Sequence, residues 1–392
     1  MRIAWVSPYL PEPATSGGAI RQQRLAAALA QQAELHLFAR GELWERPRSH
    51  SRELDFFASC WLGRDYWPNH DAGDETPRRV RRGSPRSLWR ALRNAHASTP
   101  FDGVVVSHSW AALGADSLGL PWLLDEHNVE SRYFHDLSRA AGKIPTRGEL
   151  GAFQDWERKA WRAATGITCV SSEDAAEIGA LRTDERKPMV VPNGADLERL
   201  TRVGGAERQG GVLFVGSLSH RPNLLAAQRL IESIMPRVWQ TQRDTSLTII
   251  GGPPSSELER LARAAAGPVE LRGRVPDVAP YLAGERVFLN PLQHGAGSSL
   301  KTAEALAAGI PLVSSELGAR GFGLVAGEHY ARAEDDDEFA RLALLALGGA
   351  PETAQRAERG RTHARQFAWS TLGAHFASYA QRLFSAHQHA CK

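Results

Sequence analysis

The sequence has 392 residues, 42% of them apolar and 23% charged, with a formal net charge of +3. At roughly 100–200 residues per domain, this length predicts two globular domains. No run of about 18 apolar residues occurs, so no transmembrane helix is expected, and the net charge is too small to imply nucleic acid by itself.

Arg2–Pro8 (RIAWVSP) reads as a buried first strand. The stretch MRIAWVSPYL lacks a basic start, a long apolar segment and a small-residue cleavage site, so a signal peptide is not expected. Ala19–Gln31 shows helical spacing through Ile20, Leu25 and Leu29. Ala33–Ala39 reads as a second strand. Residues 40–100, rich in Arg, Trp, Asp and Pro, interrupt the alternation and are expected to form an insertion with an irregular loop. Within them, Pro77–Arg93 carries seven arginines and no acid. Two readings stand for Arg78–Arg93. One is a solvated surface loop. The other is a contact to an anionic acceptor or, peripherally, to acidic lipid headgroups; Trp89 and Leu92 sit three apart beside the arginines, as in a short amphipathic helix. No recognised nucleic-acid motif accompanies the arginines.

The strands Gly103–His108, Pro121–His127, Gly166–Ser171 and Pro188–Asn193 follow, with helices at Glu149–Ala164 and Glu173–Leu181. Residues 195–211 are polar and Gly-rich and read as a linker. The alternation then restarts. Strands are expected at Gly211–Gly216, Ser246–Gly251, Val269–Arg272, Arg286–Leu292 and Ile310–Ser315. Helices are expected at Asn223–Val238, Ser255–Ala266, Leu300–Ala308 and Asp335–Leu347. Continuous apolar strands of this kind suit parallel sheets covered on both faces. The pattern therefore predicts an α/β protein of two doubly wound domains. Its boundaries are 1–195, a linker at 196–210, 211–365 and a C-terminal segment at 366–392. Ligands of such sheets bind beyond the carboxyl ends of the strands, where strand order reverses, and a cleft between two such domains is the default site.

Three loops follow strands in that position. Gly17 and Gly18 precede the first helix, and paired glycines there let the backbone approach a phosphate or sugar, or simply make a turn. His294–Glu304 (HGAGSSLKTAE) places Gly297, Ser298, Ser299 and Leu300 where a helix begins, with Lys301 one turn in. Backbone amides and a fixed cation make this a candidate diphosphate cradle, with Glu304 placed to hold a ribose through its hydroxyls. An N-capped helix with a surface Lys–Glu pair is the simpler reading. Gly216–Asn223 (GSLSHRPN) offers Ser217 and Arg221, and an arginine pairs with phosphate in a bidentate way. His127, in DEHNVE after the strand PWLL, can hydrogen-bond a sugar hydroxyl or serve as a structural histidine. His108 in SHSW is similar. His108, Trp110 and Asn128 are the candidate acceptor residues.

Taken together, FVGSLSHRPNLLAAQRLIESIMPRV, LTIIGG and LRGRVPDVAPYLAGERVFLNPLQHGAGSSLKTAEALAAGIPLVSSELGARG resemble the retaining family-4 glycosyltransferases of the GT-B fold. In the first half SGG, DEHNVESRYF, ITCVSSEDA and VVPNGAD agree. The resemblance covers the chain except for residues 40–100. It implies two Rossmann-like domains facing a central cleft, an N-terminal acceptor domain and a C-terminal nucleotide-sugar donor domain. It also implies that the segment around Phe367 and Trp369 crosses back to the first domain. By resemblance, Glu304 binds the ribose, Arg221 and Lys301 the diphosphate, and Arg274 and Val275 the base. Gly17 and Gly18 lie near the phosphates and acceptor, and His127 near the transferred sugar.

Two positions depart from the family. Many members carry two glutamates eight apart, and here the first position is Ala296. One large branch reads the same way, with a Gly-x-x-Leu-Lys run like Gly297–Lys301. The departure removes a sugar contact without arguing against activity. Ser217 stands where many members have arginine, which shifts the phosphate load onto Arg221 and Lys301.

The reaction implied is attack of an acceptor hydroxyl on the anomeric carbon of a nucleotide sugar, with retention and loss of a nucleoside diphosphate. The nucleotide sugar is a substrate, so no cofactor is expected, and no metal either. The acidic run Glu334–Glu338 is expected on a surface helix. Uridine is the default base, and the expected acceptor is a polysaccharide or glycolipid intermediate. A small-molecule acceptor is the alternative if Trp44, Trp61, Trp67, Trp89 and Trp110 line a pocket. A nucleotide-sugar epimerase and a non-catalytic sugar-nucleotide-binding scaffold are the other readings. Cys60, Cys169 and Cys391 are too few and too scattered for a disulfide framework or a zinc site, which fits a cytoplasmic protein, peripheral to the inner membrane face if the arginines bind lipid.

Overall fold

The structure, a computed structural model, describes residues 1–41, 52–63, 76–140, 142, 147–182, 186–203 and 208–390. Trp44, Trp67, Cys391 and parts of the 40–100 and 196–210 segments lie outside the described residues. The chain divides into two compact units. The first comprises Met1–His135, Ile144–Pro192 and Ser370–Lys392, and the second Asp136–Lys143 and Asn193–Trp369.

The first unit runs β1 (Arg2–Ser7), α1 (Gly17–Ala30), β2 (Glu34–Arg40), β3 (Phe57–Gly63), α2 (Arg78–Gly83), α3 (Arg86–Ser98), β4 (Gly103–Ser107) and β5 (Trp122–Asp125). It continues through α4 (Glu130–Ala140), α5 (Arg147–Ala163), β6 (Gly166–Cys169), α6 (Ser172–Gly179) and β7 (Met189–Val190). Its strands form one parallel sheet in the order β3-β2-β1-β4-β5-β6-β7. β4 and β5 are buried along their whole length, as a sheet covered on both faces requires. The side chain of Ser16 accepts a hydrogen bond from the Ala19 amide and so fixes where α1 begins.

The second unit contains α7 (Leu197–Val203), β8 (Val212–Val215), α8 (Arg221–Arg229), a π-helical turn (Leu230–Ile234), α9 (Met235–Thr241), β9 (Leu247–Ile250), α10 (Ser256–Ala264) and β10 (Val269–Gly273). α11 (Ala279–Gly284), β11 (Val287–Asn290), α12 (Leu300–Ala307), β12 (Leu312–Ser314), α13 (Glu316–Ala319), β13 (Ala331–Arg332), α14 (Asp336–Leu347) and α15 (Pro351–Ala364) follow. Its sheet is also parallel, in the order β10-β9-β8-β11-β12-β13. The last helix, α16 (Trp369–Ala390), packs on the first unit: Phe376 and Phe384 are fully buried, and the Phe376 ring lies 5.8 Å from that of Trp5.

Two expectations need correction. Residues 40–100 are not an irregular interruption where they are described. β3 extends the sheet beside β2, and α3 covers the core with Leu88, Trp89 and Leu92. The described part of this segment therefore adds a strand and two helices to the unit. Trp89 and Leu92 face the interior, so the apolar side of this amphipathic helix is spent on the core and is not open to a membrane. The proposed linker also contains a helix, α7, whose Leu200 is fully buried.

Candidate active site

In each sheet the strand order reverses once, between β1 and β4 in the first unit and between β8 and β11 in the second. The loops leaving those strands, with the one leaving neighbouring β5, carry most of the residues singled out from the sequence, as the topology of open α/β sheets leads one to expect.

In the second unit the centre is Lys301, in the first turn of α12 and buried. Its Nζ donates to Asn223 Oδ1 at 2.5 Å and lies 4.7 Å from the centre of the Phe214 ring. Burial pulls the Lys301 ammonium down to about 7, and the charge of Glu304, one turn further along, opposes that fall. Gly216 makes the approach feasible: a Cβ there would stand 2.9 Å from Nζ and 2.7 Å from Asn223 Cγ. His220, the N-cap residue of α8, is pushed down to about 4 by burial and by the charge of Lys301.

The Ser299 side chain does not cap α12; its carbonyl accepts from the Thr302 amide at 3.0 Å, and the two amides before it keep the donor capacity of a helix start. Gly297 takes the left-handed conformation, with φ of 71°, which an L side chain would disfavour. Ser298 is tied to Asn193. Its Oγ accepts from the Asn193 amide at 3.1 Å and its carbonyl from Asn193 Nδ2 at 2.9 Å, so it anchors a chain segment. Arg221 is exposed at the start of α8, and the Ser217 hydroxyl lies 2.9 Å from that of Ser219. Arg274 and Val275 follow β10 directly, with Arg274 exposed.

The first unit gathers a denser network around Asp125, the last residue of β5. The carboxylate accepts from Arg21 Nε at 3.1 Å, Arg21 Nη2 at 2.6 Å, Thr168 Oγ1 at 2.8 Å and His127 Nε2 at 3.0 Å. Burial pushes its pKa up, but Arg21 and His127 outweigh burial and hold Asp125 well below the usual carboxylate range. His127 is drawn down to about 4 by burial and by neighbouring His108, so the ring is neutral at neutral pH. With Nε2–H donated to Asp125, its Nδ1 is the accepting nitrogen. That nitrogen faces Gly18: a Cβ on Gly18 would lie 3.2 Å from it and 2.3 Å from Tyr9 Oη.

His108 lies at the end of β4 with φ of 67°, a strained value for a residue with a Cβ. Its Nδ1 is 2.7 Å from Glu130 Oε1 and its Nε2 is 3.2 Å from Tyr9 Oη. The Glu130 pKa, which burial pushes up, is held down to about 2 by that contact with His108. Asn128 Nδ2 donates to the same oxygen at 3.3 Å, and the Trp110 ring lies 5.3 Å from that of His108. Below them Glu157 accepts from the amides of Glu130 and Ser131 at 2.7 and 3.0 Å, which fixes the start of α4.

The structure thus brings His108, Trp110, Asn128 and His127 into one cluster, and Lys301 beside the Gly216–Asn223 loop. Tyr9, Arg21, Asp125, Glu130, His220 and Asn223 were not selected from the sequence. Asp125 and Glu130 flank His127 in DEHNVE, and the loop GSLSHRPN contains both His220 and Asn223. Among the described residues no group of three or more His, Cys, Asp or Glu could hold a metal ion, and no helix is long and apolar enough to cross a membrane.

Two family models match this chain. Residues 16–194 match the glycosyl transferase 4-like domain, and residues 209–347 match glycosyl transferases group 1. The chain carries both domains of a glycosyltransferase. Its architecture is the GT-B fold of two Rossmann-like α/β domains. Sucrose-phosphate synthase from Thermosynechococcus elongatus superposes with a TM-score of 0.75 at 17% identity, covering 98% of this glycosyltransferase and 100% of the other chain. The Anabaena protein HepE in complex with UDP-glucose gives a TM-score of 0.67 at 14% identity over 97% and 100% of the two chains. At such identities the likeness shows the fold alone. Among sequence relatives, the D-inositol 3-phosphate glycosyltransferase of Geodermatophilus obscurus is 26% identical over 332 residues, 73% of this chain and 69% of its own. An uncharacterized 44.6 kDa protein in the cps region of Klebsiella pneumoniae is 30% identical over 136 residues. That match spans 33% of this glycosyltransferase and only 35% of the relative's length.

Proposed function

We propose that this glycosyltransferase takes a sugar from a nucleoside-diphosphate sugar, with UDP first among the nucleotides, and transfers it with retention to an acceptor hydroxyl. The observation that carries the reading is Lys301, a buried ammonium at the start of α12 with a neutral amide as its hydrogen-bond partner. A buried cation balanced in this way is costly unless an anion completes its surroundings. A diphosphate supplies that anion. As the glycosidic bond breaks, negative charge grows on the leaving diphosphate. Lys301, Arg221 and the first amides of α12 then stabilise the transition state more than the bound substrate.

UDP is favoured because HepE, which shares the fold, is described with UDP-glucose and with UDP. Retention rests on the resemblance to the retaining family-4 enzymes. On the first unit, the neutral His127 offers Nδ1 to a sugar hydroxyl, and the Tyr9–His108–Glu130 chain offers polar contacts to the acceptor. The expected acceptor is a polysaccharide or glycolipid intermediate. The test is turnover of UDP-sugars with a panel of acceptors, following UDP release and the anomer of the product by NMR. An axial donor giving an axial product is expected. Inverted product would overturn retention, and no release from any nucleotide sugar would overturn the transferase chemistry.

A further inference from the structure

Arg79, on α2, holds an unusual position in the first unit. Its guanidinium carbon lies 3.5 Å from the centre of the Phe134 ring and 4.5 Å from that of Trp110. The side chain is half-buried, its Nε is buried without a hydrogen-bond partner, and among the described residues the guanidinium makes neither a hydrogen bond nor an ion pair. Arg132 also has a buried Nε without a partner, but its terminal nitrogens pair with Asp174 and Glu177, while Arg21 pairs with Asp125 and Arg182 donates to the carbonyls of Trp161 and Ala164. Glu130, the acid whose charge reaches Arg79, already receives His108 and Asn128.

The rings explain the orientation and leave the charge unanswered. Contacts with aromatic faces hold a guanidinium and stabilise its charge modestly, but its N–H groups all point outward in the plane. That edge matches a group with two coplanar oxygens, which it binds in a bidentate way. The location is informative too. The Trp110 ring that touches Arg79 also lies 5.3 Å from His108 and 6.5 Å from Tyr9. Exposed Arg78 and Arg82 on the same helix add positive potential, and the segment 76–101 contains no acid.

We propose that Arg79 is an anchor for an acidic group, a phosphate or a carboxylate, carried by the acceptor and bound beside the Tyr9–His108–Glu130 cluster. The inference rests on the reading of that cluster as the acceptor face. It narrows the acceptor class to molecules that present an anion near the hydroxyl that is glycosylated. Phosphorylated sugars, phosphate-linked lipid carriers and uronic-acid saccharides share this feature.

The test uses the full-length protein saturated with UDP, so that phosphate cannot report on the donor loop. The Arg79 Nε–H signal is assigned in the ¹⁵N spectrum by its loss in Arg79→Lys. Inorganic phosphate and acetate are then titrated to tens of millimolar. A saturable shift of the Arg79 signal is expected, with anion binding roughly 10- to 100-fold weaker in Arg79→Gln, the worth of a charge-assisted bidentate contact. Response to phosphate alone assigns a phosphate, response to acetate alone a carboxylate, and response to both an acidic group of either kind. An Arg79 signal that ignores both anions, or equal anion binding in Arg79→Gln, would overturn the proposal and leave Arg79 as a strut between Phe134 and Trp110. Failure to bind UDP at the outset would instead count against the donor reading, and the anion titration would still decide the fate of the anchor.

Discussion

Lys301 gives the most demanding prediction. Its pKa lies near 7 without ligand, against an ordinary value of 10.5. At about 1.4 kcal/mol per tenfold change, that gap amounts to roughly 5 kcal/mol held against the charged form by burial. A diphosphate placed beside Nζ reverses the balance and favours the ammonium. Binding of UDP well above pH 7 must therefore take up a proton, approaching one per site at about pH 9, where the diphosphate itself is fully ionised. Affinity should fall by up to tenfold for each pH unit above about 7. Calorimetry in buffers of different ionisation enthalpy measures the uptake directly. Lys301→Arg, charged at every accessible pH, should bind UDP without it. Tight UDP binding with no proton uptake in the natural protein, or equal uptake in Lys301→Arg, would refute the reasoning.

Asp125→Asn should cost about 3–5 kcal/mol of stability, because it leaves Arg21 buried without its counter-ion, and denaturant unfolding measures the loss. It should also lower turnover strongly, since His127 loses the partner that sets its tautomer. Gly18→Ala should lower turnover while costing only about 1–3 kcal/mol, since the new Cβ would displace the Tyr9 hydroxyl and press on His127 Nδ1; unchanged turnover would remove Gly18 from the site. Phe376→Ala should cost about 3–5 kcal/mol in unfolding experiments, as it empties the contact of α16 with Trp5. Glu157 is pushed up to about 8 by burial, above its ordinary value of 4.5. A carboxyl raised in the folded state stabilises fully below that ordinary value, and the stabilisation is lost as pH rises through about 8. Unfolding free energy should therefore decline across that window, and Glu157→Gln should flatten the slope.

Much of this was legible because parallel strands buried on both faces announce themselves as continuous apolar runs. GVVVSH and PWLLDEH gave β4 and β5 within two residues, and HGAGSSLK pointed to the start of α12. The segment at 40–100 misled because β3 lies at the edge of its sheet with its central residues exposed, so FASCWLG lacks the uniform apolar character of its neighbours. The arginines of α3 drew attention to its outer face, while the apolar stripe of Leu88, Trp89 and Leu92, read as amphipathic, is buried in the core. The pairing of Lys301 with Asn223 and the use of Ser298 by Asn193 were beyond reach. They link residues 78 and 105 positions apart, and nothing in local spacing encodes such contacts.

The measurement closest to the central claim is a thermal-shift screen of the purified protein against UDP, GDP, ADP and dTDP, repeated with Lys301→Met and Glu304→Ala. A saturable rise in Tm with UDP, abolished by Lys301→Met and weakened by Glu304→Ala, is predicted. No rise with any nucleotide, or an equal rise in all three proteins, would contradict a nucleoside-diphosphate site at the start of α12.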